Sequence, residues 1–342
     1  MPKKFLLPLF LAVALVFPLL PFANDYVLHV VTLVMVYMVL AMGLNVLPGF
    51  CGLLDLGFVG FYGVGAYTAG LLTVHYGVSL WIMVPAAVLN GALWGVVLGA
   101  PTLRLSGDYF AIVTFGFAEL VVLFLTNEIW LTRGPLGLPG IDPVSVDLSF
   151  LNPAWIYEFE GERPYFYLGL AMLALVYVTM RRLEDSRLGR AWLAIREDQL
   201  AAASCGVNIY AYKIIAFGIS AGVGALAGCF FARWTLFLSP DMFKFWESFL
   251  ILCMVVLGGL GNIHGAMVGA AILIALGEVL RVVLPQLGLP NEARFLVYGL
   301  IMIFIMRFKP KGFFPKIAAA GEANPLIKRL RAQLEQHGGT SR

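Results

Sequence analysis

Four ionisable residues lie well inside long apolar stretches of this sequence, namely Asp55, Glu119, Glu278 and Arg281. A charged side chain in hydrocarbon costs at least about 2.5–3.5 kcal/mol, so such residues usually line a water-filled passage, bind a polar solute or pair with each other. Glu278 and Arg281 are three residues apart, which makes them neighbours on a helix, and we expect them to neutralise each other. Glu119 has no basic residue close to it in the sequence, which leaves two interpretations: a hydrogen bond between helices, or a place in a solute passage.

Glycine and aromatic residues are concentrated in a second candidate stretch, LPGFCGLLDLGFVGFYGVGAYTAG, which runs from 47 to 70. We predict a break in the chain at Pro48, Gly49 and Gly52, and irregular backbone at membrane depth is tolerated only beside protein or a water-filled cavity. A glycine-rich helix beside a passage lets backbone groups face a polar solute, whereas close packing against neighbouring helices is the alternative. On the passage interpretation, Gly65→Leu lowers transport while assembly stays intact. The predicted translocation residues are Gly57, Gly63, Gly65, Tyr67 and Glu119.

Other glycines recur at every fourth position, as in Gly91, Gly95 and Gly99. Apolar helices in lipid gain no hydrophobic free energy by associating, so they depend on close backbone contact, which glycine permits. We therefore interpret these glycines as packing seams between helices.

A third candidate is the charged stretch SRLGRAWLAIREDQLAAASCGVN, residues 186–208, which lies between apolar segments. Leu188, Trp192, Ile195 and Ala202 recur at helical spacing and fall on one face, which predicts an amphipathic helix. Such a helix has three possible uses. It can lie on the membrane surface, although surface helices usually carry mainly Lys and Arg on the polar face. It can be a solvated loop helix, or its apolar stripe can dock into a groove of a partner protein.

Composition places these candidates in a membrane protein. The chain has 342 residues, of which 61% are hydrophobic and 13% charged, and its mean hydropathy is +0.88. A soluble domain is about half apolar and a quarter charged, and apolar runs near 20 residues match the length of membrane spans. We predict an all-α, polytopic membrane protein with about ten spans and a cytoplasmic coupling helix. The predicted spans are 5–22, 26–47, 52–75, 79–103, 109–131, 164–181, 212–236, 247–260, 264–284 and 294–307.

Loop charge predicts the orientation of these spans. Basic residues dominate 181–213 and acidic residues dominate 132–163. Ten crossings with both termini in the cytoplasm place every basic cluster inside and the acidic loop outside. The segment 247–260 is short enough to be re-entrant, but a full crossing is needed to keep the basic tail inside. The first 22 residues imitate a signal peptide, yet they have a poor cleavage site, and we expect a retained first span.

Several kinds of chemistry have no signature in the sequence. There is no G-x-x-x-x-G-K-[ST] phosphate-binding loop, no H-E-x-x-H and no G-x-S-x-G. The four cysteines and four histidines lack metal-ligand spacing, so we predict no metal site. These absences argue against a nucleotide-hydrolysing site and against a membrane enzyme.

The segment GRAWLAIREDQLAAASCGVN resembles the cytoplasmic coupling loop of permease subunits of ABC importers in the branched-chain amino-acid (LivM) family. Further segments resemble this family in the same order along the chain, and together they cover roughly 26–315. These segments are GLNVLPGFCGLLDLGFVGFYGVGAYTAG (43–70), LRLSGDYFAIVTFGFAEL (103–120), YKIIAFGISAGVGALAGCFFA (212–232), LSPDMFKFWESFLILCMVVLGGLGNIHGAMVGA (238–270) and MRFKPKGFFP (306–315).

The resemblance implies a permease domain over 26–315 with a coupling loop at 182–212. An N-terminal span and short outer loop (1–25) precede it, and a cytoplasmic tail (316–342) follows. The resemblance implies ATPase-coupling roles for Leu188, Gly189, Arg190, Trp192, Ile195, Arg196, Glu197 and Asp198.

It also implies an assembly in the bacterial inner membrane. The partners would be a homologous second permease, two cytoplasmic ATPases that bind ATP and Mg, and a periplasmic binding protein that delivers a branched-chain amino acid. This chain itself would bind no cofactor. The acidic loop, 132–163, would lie on the side where the binding protein docks.

The chain departs from the family pattern in that loop. It has TRGPLGLPGI where TGGPNGI is expected, with Arg133 and Leu136 at the substituted positions. Urea and short-amide permeases share much of the same pattern, so the solute remains open. A stand-alone channel or secondary transporter is the alternative to an ATP-driven importer.

Overall fold

The computed structural model describes residues 17–19, 24–103, 108–147, 156–159, 161–290, 292–309 and 312–314. The predicted first span, 5–22, lies outside the described residues except for a short 3-10 turn at Phe17–Leu19. The predicted tail, 316–342, also lies outside them.

The described part of the chain is almost entirely helical, because a helix pairs its backbone groups internally and so suits long apolar sequences. A π-helical turn at Val46–Cys51 follows the first helix. The α-helices are α1 Asp25–Leu44, α2 Phe58–Tyr76, α3 Leu80–Thr102, α4 Asp108–Asn127, α5 Ile129–Thr132, α6 Glu162–Asp185, α7 Arg187–Glu197, α8 Gln199–Ser204, α9 Ile209–Thr235, α10 Phe245–Gly258, α11 Ile263–Gln286 and α12 Ala293–Phe308.

Short strands join the loops at one end of the bundle. Strand β1 (Leu138–Pro139) pairs antiparallel with β4 (Phe237–Leu238), with Leu138 opposite Leu238. Strand β2 (Ser145–Asp147) pairs antiparallel with β3 (Ile156–Glu158). The β1–β4 pair ties the loop after α5 to the loop after α9.

The prediction of an all-α polytopic membrane protein is confirmed in its coarse form. Six of the described helices are long and apolar enough to cross a membrane, and they are Asp25–Cys51, Leu80–Thr102, Tyr109–Asn127, Glu162–Asp185, Ile209–Thr235 and Ile263–Gln286. Helix α2 has the length but a less apolar composition, because glycine and tyrosine replace larger aliphatic residues. Helices α10 and α12 have 14 and 16 residues, which is short for a span.

Helix α9 is the centre of the bundle and packs against α1, α2 and α3. Small residues of α9 pack directly against glycines of the neighbouring helices. A Cβ atom built at Gly95 would lie 2.6 Å from the Cβ of Ala221, and one built at Gly91 would overlap the Cβ of Ala225. The predicted packing seam on α3 is therefore confirmed, since close approach of the backbones leaves no room for a side chain.

Helix ends meet on two opposite sides of the bundle. One side carries 76–80, 127–147, 156–159, 161–162 and 235–245, and is here called the acidic side. There Glu162 accepts a hydrogen bond of 2.9 Å from Trp234 Nε1 and shares one of 3.0 Å with His29 Nδ1. These bonds join the start of α1, the start of α6 and the end of α9.

The opposite side carries 45–57, 185–209 and 258–263, and is here called the basic side. There Tyr210 Oη donates to the carbonyl oxygen of Ala100 at 2.9 Å, and Asn262 Nδ2 donates to that of Phe314 at 2.9 Å. The sorting of helix ends onto two sides is what a protein that threads a membrane repeatedly requires.

Glycine at position 65 is required for the contact between α2 and α9. A Cβ there would overlap the backbone of Ala225, so we expect Gly65→Ala to destabilise the fold by about 1–3 kcal/mol through overpacking. The thermal unfolding midpoint of the purified protein measures this loss. Gly116→Ala is the matched control, because nothing lies within 4 Å of a Cβ at that position. Equal midpoints for the two variants would contradict the packing role.

Candidate coupling and translocation sites

The amphipathic stretch folds as two short helices, each with a side-chain cap. Ser186 Oγ accepts from the backbone N–H groups of Leu188 (3.1 Å) and Gly189 (3.3 Å) at the start of α7. Asp198 Oδ1 accepts from those of Leu200 (2.8 Å) and Ala201 (3.0 Å) at the start of α8. Such caps satisfy amide groups that have no partner within the helix, so they fix where each helix begins.

The apolar stripe of α7 packs on this chain itself. Trp192 is fully buried, and its Nε1 donates to the carbonyl oxygen of Tyr212 at 2.8 Å. Ile195 and Ala202 are buried as well, and a Cβ at Gly189 would overlap the backbone of Glu184. These side chains are therefore covered within the chain itself, and an ATPase-coupling role for Trp192 and Ile195 stays a prediction. Only Ser186 separates the end of α6 from the start of α7, which holds α7 close to the helix ends, where its apolar face is buried.

The opposite face of the segment is the surface left for a partner. Arg190, Glu197 and Asp198 are exposed, Leu188 is half-buried, and Leu200 is 82% exposed. Arg190 Nη1 donates to the carbonyl oxygen of Asp185 at 2.9 Å, which leaves most of the guanidinium facing outwards. This exposed surface of α7 and α8 is here called the outer face of the coupling segment.

Arg196 joins the coupling segment to the broken end of α1. Its Nη1 donates to the carbonyl oxygen of Gly49, inside the π-helical turn, and its side-chain carbons lie beside Gly52. The last carbonyl groups of a helix have no partner within it and carry partial negative charge, so a cation at this end is favourable. Arg196 thus completes the hydrogen bonding of a helix end that faces α7.

A second helix break, at 258–262, contacts the π-helical turn at the end of α1. Asn45 Oδ1 accepts from the backbone N–H of Gly261 at 3.0 Å, in the turn between α10 and α11. Gly261 has a φ of +82°, which favours glycine, and a Cβ there would lie 2.8 Å from Arg196 Nη1. The two breaks, 45–52 and 258–262, therefore contact each other and Arg196. The sequence shows the glycines of GGLGN, but not that they meet residues more than two hundred positions earlier.

Three of the predicted translocation residues lie in packing contacts within the chain. A Cβ at Gly57 would overlap the carbonyl group of Thr114 in α4, and one at Gly65 would overlap Ala225 in α9. A Cβ at Gly63 would lie 3.2 Å from the ring of Phe243. The alternative of close packing is therefore what the structure shows at these glycines. The packing argues against the expectation that Gly65→Leu leaves assembly intact, because that position has no space for a side chain.

Asp55 shapes the non-helical segment that precedes α2. The residue is buried, and its Oδ1 accepts from the backbone N–H of Gly57 at 2.8 Å. The backbone N–H of Leu56 donates to Thr114 Oγ1 at 3.1 Å, which ties the same segment to α4. Asp55 Oδ2 has no hydrogen-bond partner among the described residues. The carboxylate therefore acts first as a backbone anchor at the start of α2.

Tyr67 lies on the wall of a cavity of about 620 Å³ between α2, α3 and α4. Asn90 Nδ2 donates to Thr68 Oγ1 at 2.8 Å on the same wall. Most of the remaining wall is aliphatic or aromatic, and Glu128 lies at the end nearest the acidic side. The predicted translocation residue Tyr67 thus borders this cavity, although its side chain is almost completely buried.

Glu119 lies on the outward face of α4, exposed among apolar side chains that include Ile112 and Leu123. Within the described part of the chain no hydrogen bond or ion pair involves its carboxylate, so the helix–helix bond considered from the sequence does not form inside this chain. A carboxylate on an apolar helix face is costly in lipid. Its surroundings must therefore be water or another protein.

Glu278 and Arg281 form the predicted pair, with 3.7 Å between Glu278 Oε2 and Arg281 Nη1. Tyr26 Oη also donates to Glu278 Oε2 at 2.9 Å, a partner that the sequence gave no reason to expect. These contacts satisfy the carboxylate of Glu278 within the chain, which supports a structural role.

Metal-ligand clusters are not found among the residues that the structure describes: no group of three or more His, Cys, Asp or Glu side chains is placed to hold an ion. The four cysteines, Cys51, Cys205, Cys229 and Cys253, are free thiols.

Comparison with known proteins identifies the class. The family described as branched-chain amino acid transport system / permease component matches residues 26–306. The high-affinity branched-chain amino acid transport system permease protein LivM of Escherichia coli (strain K12) is 37% identical over 328 residues, covering 92% of this chain and 75% of that protein. The corresponding LivH protein of Salmonella typhimurium is 26% identical over 304 residues, 82% of this chain and 92% of that protein. The autoinducer 2 import system permease protein LsrC of Shigella flexneri is 27% identical over 311 residues, 87% and 84% of the two chains. No solved structure shows a significant match to the chain.

A bundle of long apolar helices defines a polytopic integral membrane protein. The chain belongs to the family of permease components of branched-chain amino acid transport systems. This family consists of membrane permease subunits of ABC transporters, so the chain is a transport component and not itself an enzyme.

Removing the guanidinium of Arg196 tests the junction between the coupling segment and the two breaks. We expect Arg196→Gln to raise amide hydrogen exchange at 49–53 and at Gly261 by about tenfold, because a hydrogen bond from a charged donor is lost. Arg190→Gln is the matched control, since the side chain of Arg190 donates to the carbonyl oxygen of Asp185 at the end of α6 and not to either break. Equal exchange in the two variants would show that Arg196 does not hold the breaks.

Proposed function

We propose that this chain is one transmembrane subunit of an ATP-driven importer that brings branched-chain amino acids across the bacterial inner membrane. The observation that carries the proposal is the family match over 26–306, together with 37% identity to LivM over 92% of the chain. The capped coupling segment on the basic side agrees with a chain that receives motion from outside the membrane.

The proposed topology has ten crossings with both termini in the cytoplasm. The sorting of the described helix ends onto two sides supports it, as does the basic composition of 181–213. On this topology the basic side is cytoplasmic and the acidic side periplasmic. Helices α2, α10 and α12 supply the crossings that length and composition alone do not establish. The permease domain is 26–315, flanked by the first span (1–25) and a cytoplasmic tail (316–342).

The proposed partners complete the transporter. A second, homologous permease pairs with this chain, and the similarity to both LivM and LivH supports such a pair. Two cytoplasmic ATPases bind ATP and Mg, since this sequence has no phosphate-binding loop. A periplasmic binding protein delivers the solute at the acidic side.

Coupling runs through the outer face of the coupling segment. A nucleotide shifts a conformational equilibrium only by its different affinity for the two states, so ATP holds the ATPases, and α7 with them, in one state. Arg196 then passes the displacement to the breaks at 45–52 and 258–262. Buried Trp192 and Ile195 hold α7 to the bundle, so α7 does not shift independently of it.

The proposed passage runs along α2 and α4, with Tyr67 and Glu119 as the residues nearest the solute. The exposed carboxylate of Glu119 supports this placement, because the second permease and a water-filled passage relieve the cost of facing lipid. Gly57, Gly63 and Gly65 hold α2 against its neighbours and so determine the position of Tyr67.

Uptake by the assembled transporter tests the function directly. Proteoliposomes that contain this chain, its second permease and the two ATPases are given the binding protein and ATP. We expect accumulation of leucine, isoleucine and valine and none of urea, with uptake lost when ATP is left out. Urea uptake would assign the chain to a short-amide importer. Full uptake by this chain alone without ATP would establish a channel or secondary transporter instead.

Charge reversal on the outer face of the coupling segment tests the ATPase contact. Glu197 is exposed, so Glu197→Lys leaves the fold unchanged and alters only what α7 presents. We expect at least a tenfold loss of ATPase co-purification and of uptake. Loss of one partner of a charge pair that is buried at an interface has an effect of this size. Glu292→Lys is the control, because Glu292 is exposed at the acidic side. Normal ATPase attachment in both variants would remove Glu197 from the interface.

A further inference from the structure

Helix α4 carries a carboxylate on a face that the described part of the chain leaves uncovered. Ile112, Gly116, Glu119 and Leu123 recur at spacings of four, three and four, so they lie along one stripe of the helix, here called the α4 stripe. Ile112 and Leu123 are each more than half exposed, and Glu119 is exposed between them. Ala118, on the opposite side of the helix, is fully buried. One side of α4 thus packs inside this chain, and the other is left for a different neighbour.

Glu119 lies too deep in α4 for its carboxylate to reach water beyond either helix end. It is the twelfth of the 20 residues in Asp108–Asn127. A rise of 1.5 Å per residue places it about 17 Å from the first residue and about 12 Å from the last along the helix axis. Reaching the membrane surface from within a span is a property of the longer Lys and Arg side chains near helix ends. The carboxylate therefore has to be satisfied at membrane depth.

Neither lipid nor water suits the whole of this face. A carboxylate in hydrocarbon is costly, and within the described part of the chain Glu119 has no hydrogen bond or ion pair. The large side chains beside it, Leu120 and Phe124, are more than half exposed, and apolar area of this kind is unfavourable in water. A protein surface that is mainly apolar and offers one hydrogen-bond donor suits both kinds of residue.

Gly116 provides space for such a surface. It lies three residues before Glu119, and no atom of the described chain is within 4 Å of a Cβ built at this position. Gly65 and Gly95, in contrast, are filled by the backbone or side chain of α9. Glycine on a helix in lipid permits close approach of another helix, and here that helix is not supplied by the described chain.

The depth of the α4 stripe selects the partner. In the proposed transporter the ATPases and the binding protein lie outside the membrane, so only the second permease reaches Glu119. The similarity of this chain to both LivM and LivH indicates a system with two permeases. The charge selects the chemistry of the contact, because a carboxylate only accepts hydrogen bonds and attracts a cation.

We propose that the second permease packs on the α4 stripe and offers a donor to Glu119 from a hydroxyl, an amide or a basic side chain. Apolar residues of the partner cover Ile112 and Leu123, and its backbone comes closest at Gly116. The inference deepens the proposed function and rests on it, since a helix at the boundary between two permeases also borders the passage that they enclose.

Photo-crosslinking in the assembled transporter tests the contact. Leu123→benzoylphenylalanine is introduced into the complex of both permeases and both ATPases in a lipid bilayer, which is then irradiated. We expect a covalent product of the two permeases, and mass spectrometry of the joined peptides identifies the partner helix.

Leu175→benzoylphenylalanine is the matched control for this cross-link. Leu175 is 62% exposed, against 56% for Leu123, and it lies in the middle of α6 on a stripe without charge. We expect at least tenfold less cross-linking to the second permease from this position. Equal cross-linking from both positions, or lipid adducts alone at position 123, would overturn the proposal.

Two variants of Glu119 test the donor. Glu119→Leu makes the α4 stripe wholly apolar, and we expect co-purification of the second permease to fall about tenfold, because a donor of the partner is left unpaired. Glu119→Gln keeps an acceptor, so retained pairing identifies a neutral donor and an equal loss identifies a cation. The unfolding midpoint of the separately purified chain shows that the fold is retained.

The other occupants of this face predict different results for Glu119→Leu. Exposure to lipid predicts unchanged or stronger pairing of the permeases, and a position that faces only water predicts normal pairing with altered uptake. Either result would reject the interface.

Leucine uptake by the unmodified complex separates the two proposals. ATP-dependent uptake together with equal cross-linking from positions 123 and 175 would reject the interface and leave the importer function standing. Uptake without ATP, or full uptake by this chain alone, would reject the importer function itself.

Discussion

Unpaired backbone groups at two helix breaks are the constraint on which the rest of this structure depends. A chain within a membrane must satisfy its own carbonyl and amide groups, and the interruptions at 45–52 and 258–262 leave several of them without helical partners. Arg196 and Asn45 supply the missing hydrogen bonds. Because Arg196 belongs to α7, the solution also attaches a polar segment outside the bundle to two points where the helices are interrupted.

That attachment gives the coupling segment two faces with separate tasks. Its apolar face, with Trp192 and Ile195, is buried against the bundle, while the charged face remains exposed. A helix that docked its apolar stripe on a partner would lose the contact with its own chain whenever the partner left. Burial of the stripe within the chain is what lets the proposed coupling transmit movement of the charged face to the bundle.

The glycines of α2 and α3 affect the proposed passage indirectly. They let both helices approach α9 so closely that backbone meets backbone, as at Gly65 and Gly95. Helices held in this way leave α4 separated from α3 near its end at the acidic side, and the cavity with Tyr67 occupies the space between them. Packing thus determines where the open volume lies.

Composition and periodicity by themselves determined the helical membrane fold, most helix positions, the pairing of Glu278 with Arg281 and the amphipathic coupling segment. These features depend on neighbours within a few turns, which a sequence displays directly. Only the tertiary structure decided that the stripe of α7 is buried, that Gly57, Gly63 and Gly65 are packing positions, and that Glu119 faces outwards. Each of these depends on which helix lies beside which. The sequence does not distinguish a glycine that faces a passage from one that packs against the backbone of another helix. Gly65 is of the second kind, because it contacts Ala225, which is 160 residues away.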